Sequence, residues 1–177
     1  MITVYALAIE TFTPVLNTLS ILLDKGAAHA RAKGTDPNTL VGARLAPDMY
    51  PLSTQVQLAC HHPRDATARL AGKTPPKFEN AELTFDDLKL LTEKTVAYLK
   101  SLSPEAFDGA EDRKIEMPLV DRLVFQANGF ELLRDWSIPH FYFHVVTAYD
   151  ILRHNGVEIG KRDYMNHIGP HIRQRSD

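Results

Sequence analysis

Thiols are nearly absent from this sequence. Its 177 residues include one cysteine, which excludes an intramolecular disulfide and a cysteine-rich zinc site. An excess of either charge is also missing. The 20 Lys and Arg against 22 Asp and Glu leave a formal net charge of −2, so nothing in the balance calls for a nucleic-acid or anionic-membrane partner. No run of about 18 apolar residues predicts a membrane span. The longest such stretch, Phe141 to Val146, is broken by Tyr142 and His144. The opening Met1-Ile2-Thr3-Val4-Tyr5 has no basic region, and Glu10 interrupts the apolar residues that follow. This disfavours a signal peptide and makes a reduced, cytoplasmic compartment the expectation. Gly26, Gly34 and Gly42 are scattered rather than gathered into a phosphate loop, so no nucleotide cofactor is predicted. There is no G-x-S-x-G elbow and no H-E-x-x-H. No motif places a general base, and whether the chain is an enzyme stays open at this level.

The chain does have eight histidines. A metal bound here would be held by imidazole, with Asp or Glu, and not by thiolate. The remaining composition, 44% hydrophobic and 24% charged, is that of an ordinary globular chain, and the length predicts one domain over residues 1–177.

Apolar spacing predicts four helices. The first runs from Thr3 to His29, with Phe12, Val15, Leu16, Leu19, Leu22 and Leu23 on one face and Pro14 as a kink or a start. Arg31 to Asn38 reads as a loop. Pro51 suits the first turn of a second helix, which passes through Leu52, Val56, Ala59 and Cys60 to Leu70 and stops at Gly72. Pro63 should remove that helix's backbone bond to Ala59. Lys73 to Leu83 is a connection. Thr84-Phe85-Asp86-Asp87 then resembles a capping box that opens a third helix, ended by Ser103-Pro104. Between Lys114 and Leu133, Asn128-Gly129 reads as the turn of a short hairpin. A fourth helix is expected from Pro139 to His154, capped by Asn155-Gly156, with Val157 touching Leu152. The tail from Gly160 is polar and is expected to be mobile at its end. Long connections between these helices predict an all-α four-helix bundle with a topology other than simple up-and-down.

His140 and His144 stand four apart, on one face of the fourth helix. Thr147, Ala148 and Ile151 continue that face, which directs the pair into the bundle. Eight histidines in a chain of this length give roughly 0.35 such spacings by chance, so the spacing alone is weak. A core His beside a surface His is the bland alternative. His167 and His171 show the same spacing across Gly169-Pro170, where no regular helix fits. His61 and His62, adjacent on the second helix, diverge by about 100°, so at most one can point at a given site. Either could add the third ligand that the pair lacks, and the spacing does not choose between them. Cys60 reads as a buried structural thiol. Asp48 reads as the cap of the second helix, or as an ion-pair partner of Arg44.

The run Arg44-Leu45-Ala46-Pro47-Asp48-Met49-Tyr50-Pro51-Leu52, followed by Gln55-Val56-Gln57 and Ala59-Cys60, resembles a block of a known family. Phe141-Tyr142-Phe143-His144, Ala148-Tyr149 and Ile151 to Val157 with Gly160-Lys161 resemble a second block. The family is the domain of unknown function numbered nineteen-ninety-three, within the DinB/YfiT-like metalloenzyme superfamily, and the resemblance covers nearly the whole chain. It implies a four-helix bundle with a long crossover. It also implies a three-histidine site, with one ligand from the second helix (near His61 or His62) and an H-x-x-x-H pair from the fourth, His140 and His144. The closer family often has Asn at the position of His140 and Asp at that of His61. The resemblance further implies a divalent ion (Zn, Ni or Fe) and thiol or hydrolytic chemistry on a small molecule. The alternative is a non-catalytic bundle, with a degenerate site, that binds a small molecule or a protein. Two apolar stripes on a helix would favour a homodimer, a state the sequence leaves open.

Overall fold

The computed structural model describes residues 2–79 and 81–174. The expected mobile end of the tail, residues 175–177, lies outside them. The first apolar stripe becomes α1 (Val4–Ala32), opened by Thr3, whose hydroxyl accepts the Ala6 N–H at 3.1 Å. The helix runs through Pro14 without interruption, and the Thr18 hydroxyl donates to the Pro14 carbonyl. By length and composition alone α1 could cross a membrane, because such a window tolerates Glu10. Yet Phe12, Leu16, Leu19, Leu22 and Leu23 are wholly buried within the fold.

A second helix, α2 (Leu52–Leu70), follows a long crossover that includes one short turn, Pro37–Leu40. Asp48 does not cap it. Pro51 holds the cap position with no side-chain bond, as a proline at a helix start needs little capping, and Arg44 donates to the Pro47 carbonyl instead. The third helix, α3 (Phe85–Lys100), opens on the predicted box. Thr84 accepts the Asp87 N–H at 3.2 Å, and the Asp87 carboxylate accepts the Thr84 N–H at 3.0 Å. The Asn38 side chain accepts the Phe85 N–H at 2.8 Å, tying the crossover to this helix start.

Two strands, β1 (Ile115–Pro118) and β2 (Val124–Ala127), pair antiparallel with Ile115 opposite Ala127. The hairpin exists, but its turn is not Asn128-Gly129. The chain reverses over residues 119–123, with Asp121 and Arg122 both at positive φ. Asn128 is instead a helix cap. Its side chain accepts the Glu131 N–H at 2.8 Å, and Glu131 accepts the Asn128 N–H at 2.9 Å. Asn serves both roles, and Glu three residues on decides for the cap. Replacing Asn128 by Ala should cost about 1 kcal/mol, read as a lower urea midpoint at unchanged slope.

The fourth helical run therefore begins ten residues before Pro139, with Gly129–Glu131, widens into a π-helical stretch over Leu132–Ser137, and continues as α4 (Ile138–His154). Pro139 offers no N–H and crowds the carbonyl four residues back, and the wider turn before it takes up the mismatch. The end of α4 is as predicted: Gly156 has φ 86°, and the Val157 N–H reaches the Leu152 carbonyl at 3.1 Å. Around the bundle the neighbours run α1, α3, α2, α4, back to α1, with α1 and α2 in lesser contact across it. Such an order needs the long crossover between the first two helices. It also lays α2 lengthwise against α4.

Candidate metal centre

The α2–α4 seam brings His62, His140 and His144 together. The His62 ring centre lies 4.9 Å from that of His140 and 5.4 Å from that of His144. Pro63 is buried within α2, which continues through it, so the backbone carries His62 to the seam without a break. His61 points the other way. Its ring meets Phe78, with centres 5.2 Å apart, and touches the cluster only through His62. Of the four histidines singled out by sequence, three have neighbouring rings at the seam and one lies on the outer flank.

Two of the three rings are tethered. His144, only 7% exposed, donates from Nδ1 to Gln55 Oε1 at 2.8 Å. Gln55 Nε2 donates to the Tyr50 carbonyl at 3.1 Å, which orients the amide with its oxygen towards the imidazole. His140 Nδ1 lies 2.7 Å from the Trp136 carbonyl, which can only accept, so this nitrogen also carries a proton. When both rings are neutral, each therefore leaves Nε2 with a free lone pair. Trp136 also packs its ring on His140, centres 4.4 Å apart, and Phe125 of β2 packs on Trp136 at 5.0 Å. The hairpin thus buttresses one ligand candidate.

Burial favours the neutral form of His62 and His144. Desolvation, then the neighbouring imidazoles, pushes the His62 pKa from 6.5 down to about 3. Desolvation and then His140 take His144 to about 4. His61 is lowered too, chiefly by burial. Cys60 is pushed up to about 11 by burial and lies 3.7 Å from the Thr92 hydroxyl, as a structural thiol would.

The fit to a metal ion can be tested on the donors. At a metal–nitrogen distance of 2.0–2.1 Å, two imidazoles on one tetrahedral ion have ring centres about 5 Å apart. The observed 4.9 and 5.4 Å match that spacing, and imidazole donors suit a borderline divalent ion. The ring turns differ from a ligated set. His62 and His144 lie within 8° of parallel, and among the described residues no group of three or more His, Cys, Asp or Glu has its donor atoms gathered on one point. Donor type and ring spacing fit the group; ring orientation, with His62 stacked on His144, does not converge.

Sequence reasoning missed Gln55 and Trp136. Gln55 left a signal, since an amide among Leu52, Val56 and Ala59 on a buried stripe needs a partner. Trp136 left none, because its carbonyl is aimed by the π-helical stretch.

A family model described as a domain of unknown function (DUF1993) matches residues 4–165. A crystal structure of a DinB family member protein from Shewanella denitrificans matches with a TM-score of 0.82 and 37% identity, covering 92% of this chain and 91% of that one. No curated protein matches this chain.

Proposed function

The chain belongs to the DUF1993 family and has a DinB-like fold, and from that premise we propose that it binds a divalent metal ion through His62, His140 and His144. The observation that carries this reading is the pair of Nδ1 tethers to Gln55 and Trp136, which make Nε2 of each ring the nitrogen left for a metal, on one face of α4 beside His62. Zn²⁺, Ni²⁺ and Fe²⁺ all suit such a donor set. A three-ligand ion keeps a position open, and a bound water or small-molecule thiol would lose its proton there more readily. Hydrolytic or thiol chemistry is the class this supports.

The test is metal content by elemental analysis of untagged protein incubated with Zn²⁺ or Ni²⁺ and desalted. Wild type should retain about one equivalent, and His144→Ala and His62→Ala should retain little. His61→Ala should behave as wild type. Gln55→Leu should keep the fold but bind the ion about 10- to 100-fold more weakly, since it removes only the orienting bond. Absence of bound metal in folded wild type would overturn the reading and leave a non-catalytic bundle.

A further inference from the structure

A second place in the molecule gathers chemistry that the imidazole cluster does not use. Between α2, α3 and the connection after α2 lies a cavity of about 450 Å³, within the range of small-ligand pockets. Arg64, Lys73 and Lys94 line it, and no Asp or Glu does. For a chain of net charge −2 this is a local concentration of positive charge. Among the described residues none of the three is in an ion pair, whereas Arg69, little more than a turn beyond Arg64, holds Asp65 at 2.9 Å. The cations come from three separate segments, so no single helix face accounts for their meeting.

Apart from Thr74 and Thr95, the rest of the wall is mainly apolar. Leu91 and Tyr98 stand seven apart on α3, on the same face as Lys94, and Ala68 leaves room one turn after Arg64. Pro76 closes the side formed by the connection. A second cavity of about 430 Å³ shares Arg64, Pro76 and Leu91 with the first and adds Phe78 and Leu83. Glu79 lines only this second space. Arg64 thus stands where the positively charged cavity meets one of mixed charge, lined also by His61, Lys77 and Glu79.

We propose that this cavity binds a small organic dianion of the phosphate-monoester type, with Arg64, Lys73 and Lys94 on the phosphate and the organic body lying along Leu91, Pro76 and Tyr98. The planar guanidinium matches two phosphate oxygens at once, and the two ammonium groups supply the remaining positive charge. A carboxylate carries only half the charge and leaves the third cation without a counterpart. The site stands apart from His62, His140 and His144, so it survives or fails independently of the metal reading.

Phenyl phosphate, titrated into metal-free protein and followed by amide shifts in two-dimensional NMR, tests this. Saturable shifts centred on Ala68, Thr74 and Lys94 are expected, with benzoate at least about 5-fold weaker and phenol without effect. Lys94→Gln and Arg64→Gln should each weaken binding about 10-fold, and Lys100→Gln, on the same helix but outside the cavity, less than about 2-fold. Lys94 is exposed, so its variant keeps the fold whatever happens at the half-buried Arg64. No saturation by about 10 mM, shifts centred elsewhere, benzoate equal to phenyl phosphate, or equal losses from Lys94→Gln and Lys100→Gln would each overturn the proposal.

Discussion

Gly129→Ala should destabilise the protein by at least about 3 kcal/mol, lowering the melting temperature by roughly 10 °C. A Cβ at this position would run into the backbone carbonyl of Ala110 and lie 2.9 Å from Leu70 Cδ2. Ala110 and Leu70 are both fully buried, and the Phe130 N–H holds the Glu111 carbonyl at 3.2 Å, so neither side can retreat without breaking a contact. The requirement is for space, not for an unusual backbone, since Gly129 is helical. Gly42→Ala is the control, with nothing within 4 Å of the added carbon and no positive φ. Its melting point should move by about 1 °C or less. Because Gly129 begins the run that carries His140 and His144, the variant should also weaken the metal retention proposed above, in whatever fraction stays folded. A melting point for Gly129→Ala within about 2 °C of wild type would show that residues 110–111 are not packed on this helix start.

Position 129 also shows where the sequence was legible and where it was not. Apolar spacing gave α1, α2 and α3 because a stripe buried on one side leaves a periodic trace. The Thr84 box and the Gly72 and Gly156 caps were readable because capping depends on residues within a few positions. Asn128-Gly129 failed as a turn because the same dipeptide suits a helix start, and the local signal that selects the start, Glu131 three residues on, was overlooked. Pro139 failed as a helix start because a π-helical stretch has no compositional mark. The site divides the same way. His140 and His144 were visible from their spacing. The choice of His62 over His61 depended on how α2 lies against α4, and the roles of Gln55 and Trp136 on atoms that meet only after packing.

Metal-free protein should lose on the order of 3–4 kcal/mol of stability between pH 6.5 and pH 4. The sign follows from the direction of the shifts. His62 at about 3 and His144 at about 4 both stand below 6.5, so between those values the unfolded chain binds more protons than the folded one. Stability is therefore complete above 6.5, falls as pH drops, and levels off near pH 3. Each proton taken up on unfolding contributes about 1.4 kcal/mol per pH unit, and the partial solvent access of His62 keeps the total below the two-proton limit. His61 shifts in the same direction and adds to the slope. Carboxylates held low by hydrogen bonds, such as Asp163 beside Lys25, and Glu105, add a loss of the same sign towards the acid end of this window, so the imidazole part is read from the difference between wild type and His62→Gln. Protonation does not break the His144–Gln55 bond, because Nδ1 already carries its proton. The loss arises from charge placed in a buried seam beside two other imidazoles. Urea denaturation at pH 7, 6, 5 and 4.5 measures it, and His62→Gln should reduce the slope near pH 5 to roughly half. An unchanged slope in that variant would mean that the α2–α4 seam is open to water around His62, and that the three rings are not packed as a group.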